Sequence, residues 1–259
     1  MFTTGPLHYK GQPTGVIFGF LNQLFTIAQQ TRPDQIVFAW DSRKSKRRLR
    51  YPFYKVRNKD RNDEDLQAAF AQFIKLRTSI LPKLGFLNNV LSTGYEADDI
   101  IAKVAEDNTR VHITIVSSDA DLYQLLNRTT EIYNPNKKSV YTDKDFQQEY
   151  GIQPKQWAEV KSIAGCATDK VPGVYGVAET TAVNFLKGNL KKNSLKRKMI
   201  QENSSIIERN RWLVTLPLPG TPPVTLKQNK FNVAELQKLC KELNFKSYRL
   251  RVDDWGIFF

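Results

Sequence analysis

Two acidic clusters flank one predicted strand near the middle of the chain: Gly94-Tyr95-Glu96-Ala97-Asp98-Asp99 and Ser117-Ser118-Asp119-Ala120-Asp121. The segment between them, 111–116 (VHITIV), is short, β-branched and largely apolar, which predicts a buried strand. The first cluster begins a predicted helix over 97–106, and the second follows the strand. In open parallel sheets, ligands collect beyond the carboxyl ends of the strands. This stretch therefore predicts an α/β fold, a mostly parallel sheet flanked by helices, with acids at one edge.

The carboxylates of these clusters repel one another if the fold brings them together. Two charges 4 Å apart cost about 4 kcal/mol at an effective dielectric constant of about 20. Divalent cations remove that repulsion, and sites rich in oxygen ligands suit Mg²⁺ or Mn²⁺. Acids also favour helix N-termini and turns without any metal. Both interpretations stay open from these clusters alone.

A second predicted strand also ends on an acid. The segment 35–40 (QIVFAW) is followed directly by Asp41. Upstream, apolar residues over 15–30 predict a buried helix, and the three- and four-residue apolar spacing over 65–84 predicts a long amphipathic helix whose apolar stripe packs in the core. Two strands that each deliver a carboxylate strengthen the prediction of a metal site.

The chain is strongly basic, with a formal net charge of +13, and its cations are clustered. Residues 43–61 hold ten Lys or Arg and one acid, interleaved with Tyr51, Phe53 and Tyr54. Aromatic stacking combined with phosphate neutralisation is how proteins bind single-stranded nucleic acid. We therefore expect this segment to contact nucleic acid, through Arg43, Lys44, Lys46, Arg47, Arg48, Arg50, Tyr54, Lys55 and Arg57.

Other classes of protein fit the sequence poorly. Cys166 and Cys240 are isolated and lack the spacing of a disulfide framework or a zinc site. No apolar run approaches the roughly 20 residues that span a bilayer, and the first residues lack the pattern of a signal peptide. The sequence thus predicts an intracellular, cytoplasmic protein.

A glycine- and proline-rich turn lies between two predicted helices over 163–182 (IAGCATDKVPGVYGVAETTA). Gly173 and Gly176 are expected to leave backbone N–H groups free near a helix N-terminus, where a phosphate binds well. Ordinary packing of a helical hairpin is the alternative. A second basic run follows, with Lys187 at its beginning.

In combination, these motifs resemble the 5′-nuclease family of flap endonucleases and 5′→3′ exonucleases. The similarity extends from about Gly11 to about Pro217 and includes Gly15 to Leu21, Phe38-Ala39-Trp40-Asp41, Tyr54-Lys55, Glu96-Ala97-Asp98-Asp99, Ser118-Asp119-Ala120-Asp121 and the turn from Asp169 to Ala182. The resemblance implies a nuclease core over 1–142 with a basic helical arch at 43–65. It also implies a helical helix-three-turn-helix DNA-binding subdomain over 143–259, with contacts from Gly173, Val174, Gly176 and Lys187.

The resemblance also implies roles for single residues. Asp41, Glu96 and Asp98, with Asp99 close by, would hold one metal, and Asp119, Asp121 and Asp169 a second. Lys55 matches the basic residue that contacts the scissile phosphate, Arg47 matches another arch cation, and Arg57 lies one position from the family's arch arginine. The implied reaction is two-metal hydrolysis of DNA at single-strand/duplex junctions, in which Lys55, Arg47, Asp98 and Asp121 are catalytic. A K⁺ ion near 162–174, action on RNA–DNA hybrids and a monomeric state are further expectations.

Two departures from the family pattern modify these expectations. Members begin with a strand that carries an aspartate, whereas none of the fourteen residues before Gly15 is acidic. The chain is therefore expected to start late or to lack one ligand of the first metal. Cys166 stands where the family has an aspartate, and a thiol is a poor ligand for Mg²⁺, so we expect a weaker second site. A catalytically weakened relative that binds branched or tailed DNA is the alternative function.

Overall fold

The computed structural model describes residues 7–56 and 63–249. In these ranges the strands are β1 (His8–Tyr9), β2 (Gln12–Pro13), β3 (Phe38–Trp40), β4 (Asn89–Leu91), β5 (Ile113–Val116), β6 (Thr130–Asn134), β7 (Ser139–Tyr141), β8 (Gly165–Cys166) and β9 (Val171–Pro172). The helices are α1 (Gly15–Thr31), α2 (Lys46–Arg50), α3 (Glu64–Lys75), α4 (Leu81–Lys83), α5 (Ala97–Asp107), α6 (Asp143–Tyr150), α7 (Trp157–Ala164), α8 (Glu179–Leu186), α9 (Leu195–Glu202), α10 (Ser204–Val214), α11 (Val233–Glu242) and α12 (Lys246–Arg249). Within the described ranges, no helix has the length and apolar character needed to cross a membrane.

The strands form small sheets. β5 pairs in parallel with β6, placing Ile115 opposite Ile132, and β6 pairs antiparallel with β7. The remaining described strands pair two by two. The chain is therefore a mixed α/β protein, as the sequence predicts. The strands predicted at 35–40 and 111–116 are present but shorter, because regular pairing is confined to Phe38–Trp40 and Ile113–Val116.

The described residues divide by contact into two compact units, one of 7–38, 63–90 and 225–249 and another of 39–56 and 91–224. In the first unit, α1 buries Ile17, Leu21 and Phe25 at helical spacing. No side chain within the helix caps its N-terminus. Instead, the buried side-chain oxygen of Gln72 on α3 accepts the N–H groups of Val16 at 3.0 Å and Ile17 at 3.2 Å.

The long helix predicted over 65–84 is only partly a core element. It runs through α3, a π-helical turn at Leu76–Ile80 and α4. Ile80 and Leu81 are buried, as their spacing predicts, whereas Phe70 is 49% and Ile74 43% exposed. The expectation of a fully buried stripe is therefore wrong over the middle of α3.

The second unit holds two apolar clusters near the site described below. Ile115 of β5 and Ile132 of β6 pack in the same cluster as Trp157, Val160 and Ile163 of α7. Ala182 and Val183 of α8 and Ile207 of α10 complete the surroundings of α7. The β8–β9 hairpin belongs to a second, smaller apolar cluster, in which Cys166 and Val171 pack with Tyr54 and Leu213.

Candidate active site

Four carboxylates gather where β3, β5 and α5 meet. Asp41 follows β3, and its Oδ1 accepts the N–H of Ala97 in the first turn of α5 at 2.9 Å. Glu96 and Asp98 lie at the same helix start, and Asp119 follows β5. Burial raises the pKa of Asp98 to about 7, against the attraction of Lys55, and the charges of Asp119, Asp41 and Glu96 contribute to the rise. These four acids are therefore close enough to influence one another, as the motifs predict.

A second group consists of Asp121, Cys166 and Asp169, whose potential ligand atoms all lie within 4.8 Å of one another. The N–H of Asp121 donates to Asp119 Oδ1 at 2.9 Å, which joins this group to the first. Asp169 lies between β8 and β9. Burial raises the pKa of Asp169, opposed by Lys55 and reinforced by Asp121 and Glu96. Burial likewise raises the pKa of the Cys166 thiol, and Thr168 partly offsets that effect.

Lys55 and Tyr54 link the two groups. The Lys55 ammonium lies 2.8 Å from Glu96 Oε2 and 3.5 Å from Asp169 Oδ2, while the Lys55 N–H donates to the Asp169 carbonyl at 2.8 Å. The buried Tyr54 hydroxyl lies 3.1 Å from Glu96 Oε2 and 3.3 Å from Asp169 Oδ2. Burial lowers the pKa of Lys55, but Tyr54, Glu96 and Asp169 outweigh it, so the net direction is upward. Lys55 is therefore a cation held among the acids.

Lys161 is a member of the site that the sequence motifs do not identify. It is buried on α7, with its Nζ 3.1 Å from Asp121 Oδ1 and 2.7 Å from Glu179 Oε1. Its only sequence signal is its position four residues after Trp157, on the same helix face; its Nζ lies 5.3 Å from the centre of the Trp157 ring. Burial lowers the pKa of Lys161, yet Asp121 and Glu179 shift it upward overall.

Arg47 and Asp99 occupy positions different from those that the family resemblance implies. Both are buried, with 1% and 0% exposure, and they pair through two hydrogen bonds of 2.6 and 2.7 Å. Arg47 Nε also donates to the Leu213 carbonyl at 2.6 Å. Asp99 Oδ1 accepts the N–H of Leu218 at 2.9 Å. In this structure Arg47 is not an exposed DNA-binding cation, and the Asp99 carboxylate is bonded to Arg47 rather than open to a metal.

The other predicted basic contacts lie at the surface. Arg43 and Lys44 are exposed. Lys46 is also exposed and donates to the Tyr95 hydroxyl. The Arg50 guanidinium stacks over Trp212, with 4.5 Å between the guanidinium carbon and the ring centre. Arg48 donates to the carbonyls of Tyr54 and Lys55. Arg57 lies outside the described residues.

The turn after β9 differs in one respect from the expected phosphate site. Val174 is buried and its N–H donates to the Ile163 carbonyl at 2.8 Å, so this N–H is not free for a phosphate. Gly165 and Gly173 approach backbone to backbone: a Cβ on Gly173 would lie 2.1 Å from the Ala164 carbonyl. Gly176 has a φ of +65°, and Tyr175 beside it is 89% exposed. Lys187 is exposed at the end of α8.

The residues present fit divalent cations. The first group offers only carboxylate oxygens, the donors that hard cations prefer. The second group combines two carboxylates with one thiol. Two ammonium groups, those of Lys55 and Lys161, already pair with these acids, so the site attracts positive charge.

Comparison with known proteins places the chain among nucleases. Residues 2–151 match the family described as 5′-3′ exonuclease, N-terminal resolvase-like domain. The chain is 31% identical over 260 residues to a 5′-3′ exonuclease of Aquifex aeolicus, which covers 94% of this chain and 87% of that protein. It is 30% identical over 266 residues to DNA polymerase I of Mycobacterium tuberculosis, covering 94% of this chain but 28% of the polymerase.

Solved structures show the same fold. The T5 5′-exonuclease with bound divalent metal ions (zinc) has a TM-score of 0.66 at 18% identity, covering 93% of this chain and 90% of that one. The family expected from the motifs is thereby confirmed. The chain belongs to the 5′-3′ exonuclease family.

Proposed function

We propose that this protein is a metal-dependent, structure-selective 5′ nuclease that hydrolyses DNA phosphodiester bonds near single-strand/duplex junctions. The convergence of acids from separate parts of the chain supports this proposal most directly. Asp41, Asp98 and Asp119 come from three different segments, yet their charges act on one another. A protein that only binds nucleic acid does not require a cluster of carboxylates, because these repel the phosphates.

Asp41, Glu96 and Asp98 would hold one divalent cation, Mg²⁺ or Mn²⁺, and Asp119, Asp121 and Asp169 a second, weaker one. Bound cations supply Lewis-acid stabilisation of the phosphodiester and activation of the attacking water. Asp41 keeps its orientation because it accepts the N–H of Ala97. Glu96 keeps its orientation because it accepts hydrogen bonds from the Tyr54 hydroxyl and the Lys55 ammonium. Lys55 offsets negative charge that develops on the scissile phosphate.

The DNA contacts follow the charge distribution. Exposed Arg43, Lys44 and Lys46 would neutralise phosphates of the 5′ strand. They belong to the arch expected over 43–65, of which 57–62 lies outside the described residues. Residues 143–259 would act as a helix-three-turn-helix subdomain that contacts the duplex through Gly176 and Lys187, and residues 1–142 as a nuclease core with a mostly parallel sheet. A K⁺ ion at 162–174, cleavage of RNA–DNA hybrids and action as a monomer complete the proposal.

The test is a cleavage assay on a 5′-flap DNA with Mg²⁺ and Mn²⁺ compared. We expect incision near the junction that Asp98→Ala and Asp121→Ala abolish and Glu208→Gln, a change of an exposed acid on α10, leaves intact. Tight, salt-sensitive flap binding without turnover above the Asp98→Ala background would overturn the proposal in favour of a DNA-binding relative without efficient activity.

A further inference from the structure

The thiol in the second group of ligands faces the group's interior. Cys166, the last residue of β8, is 6% exposed. Its Sγ lies 3.6 Å from Asp121 Oδ2 and 3.0 Å from Thr168 Oγ1. The Asp169 carboxylate completes a set in which all three ligand atoms are within 4.8 Å of one another. The sulfur is therefore close enough to two carboxylate oxygens for all three atoms to bind the same metal ion.

The two oxygens of Asp121 have different partners. Oδ1 pairs with the Lys161 ammonium at 3.1 Å, and Lys161 also pairs with Glu179 at 2.7 Å. Oδ2 is the oxygen that faces Cys166 Sγ. The buried Lys161 thus holds Oδ1 of Asp121. Oδ2 remains available to a metal ion that the Cys166 sulfur also binds.

Metal preference follows from this donor set. Carboxylates bind hard and borderline cations alike, whereas a thiolate binds Zn²⁺ with a bond of about 2.3 Å and contributes little to Mg²⁺ binding. We propose that Asp121, Cys166 and Asp169 form a site selective for a thiophilic divalent cation of the Zn²⁺, Co²⁺ or Cd²⁺ class over Mg²⁺. This inference rests on the proposed function and names the class of metal that its second position takes. On binding, the S–H bond breaks, the sulfur–metal bond forms and one proton passes to solvent.

The experiment uses Co²⁺ and Cd²⁺ as spectroscopic probes of the full chain. A thiolate–metal bond produces an ultraviolet charge-transfer band, in the near ultraviolet for Co²⁺ and at shorter wavelength for Cd²⁺, which carboxylate ligation alone does not. We expect this band on titration of the wild type and of Cys240→Ser, which removes the other cysteine, buried elsewhere in the chain. The band disappears in Cys166→Ser, and affinity for Cd²⁺ falls by at least about tenfold.

A second variant tests the selectivity for Cd²⁺ over Mg²⁺, and its expected result is a gain in Mg²⁺ competition rather than the loss of the charge-transfer band. Cys166→Asp converts the group to oxygen donors alone, so we expect Mg²⁺ to displace Cd²⁺ at a lower concentration than in the wild type, by at least about tenfold. A band that persists in Cys166→Ser, absence of any band in the wild type, or unchanged Mg²⁺ competition in Cys166→Asp would each overturn the inference.

Flap cleavage is measured separately in Mg²⁺ or Mn²⁺. Cleavage without a thiolate band refutes only the metal preference. A thiolate band without cleavage refutes the proposed nuclease function and leaves the metal preference standing.

Discussion

Arg47 and Asp99 form a two-bond ion pair that is closed to solvent, with Nη1 2.6 Å from Oδ2 and Nη2 2.7 Å from Oδ1. Arg47 lies among cations over 43–50 that are otherwise exposed, and Asp99 lies next to the acids that we propose as metal ligands. Its surroundings satisfy the remaining polar atoms: Arg47 Nε bonds to the Leu213 carbonyl, and Asp99 also accepts the N–H groups of Glu96 and Leu218. The pair thus joins α2, α5 and the segment after α10.

Breaking this pair should lower the free energy of unfolding, and any change in DNA affinity should be secondary to that loss of stability. For Arg47→Met we expect a loss of about 3–5 kcal/mol in the free energy of unfolding, because the Asp99 charge is left buried without its partner. The double variant Arg47→Met/Asp99→Leu should lose less than the sum of the single changes. Urea unfolding measures these effects, with the exposed Arg43→Met as control, expected within about 0.5 kcal/mol of wild type. A stable Arg47→Met protein with weakened DNA binding would restore Arg47 as a DNA contact.

Asp98 should make the metal-free protein less stable as pH rises. Its folded pKa is raised to about 7 by burial, with Asp119, Asp41 and Glu96 adding to the effect and Lys55 opposing it. The folded state therefore retains a proton that the unfolded state releases, and the stability contributed by Asp98 is lost between about pH 4 and pH 7. Asp98→Asn should exceed the wild type in stability above pH 7 in EDTA, by a few kcal/mol at most.

Unfolding in denaturant over a pH series tests this expectation, with Glu208→Gln as the surface control. Added Mg²⁺ should stabilise the wild type more than Asp98→Asn, because ligand binding favours the folded state. A difference between the two proteins that does not change with pH would contradict the proposed charge coupling.

Substitutions at Lys55 and Lys44 should have different effects, one on the cleavage rate and the other on the affinity for flap DNA. The Lys55 ammonium lies among the acids, so Lys55→Ala should lower the cleavage rate by about 10²–10³ and change flap affinity much less. Exposed Lys44 should act as a phosphate contact: Lys44→Ala weakens flap binding and reduces its salt dependence by about one counterion, with kcat unchanged. Single-turnover cleavage and binding at several salt concentrations measure both. Equal losses of rate and affinity in Lys55→Ala would make it a phosphate anchor only.

Gly173 should be intolerant of any side chain. A Cβ there would lie 2.1 Å from the backbone of Ala164, which cannot move without displacing the end of α7. We expect Gly173→Ala to destabilise the second unit and to weaken duplex binding. Gly188→Ala is the control: its φ is +75°, but no atom of the described residues lies within 4 Å of the added Cβ, so only about 1–2 kcal/mol of backbone strain is expected. Thermal unfolding and duplex affinity distinguish the two variants.

Local patterns in the sequence predict much of this fold. Helix α1, predicted over 15–30, extends over Gly15–Thr31 because its apolar spacing and its exit at Arg32 are both local features. The sequence predicts that the acids after β3 and β5 lie together, and both act on Asp98, although the two strands belong to separate small sheets. Pairings across long sequence distances were not predictable: Arg47 and Asp99 are 52 residues apart, and nothing local distinguishes Arg47 from the cations around it.

The same limit applies to the hydrogen bonds of the second unit. Val174 follows Gly173 in a glycine-rich turn, where its N–H is expected to be free for a phosphate, yet that N–H donates to the carbonyl of Ile163, eleven residues earlier in the chain. Lys161 resembles a surface lysine until Asp121 and Glu179 are placed around it. Tertiary packing, and not residue type, decides both cases.

The capping of α1 by Gln72 has a consequence for how the first unit opens. Val16 and Ile17 have their N–H acceptor on another helix, so their protection against hydrogen exchange depends on α3 staying in place. These two amides should therefore exchange together with those of α3, at a rate set by the departure of that helix rather than by fraying of α1. The start of α1 and the last turn of α3 should therefore open as one cooperative element, although 55 residues separate Ile17 from Gln72 along the chain.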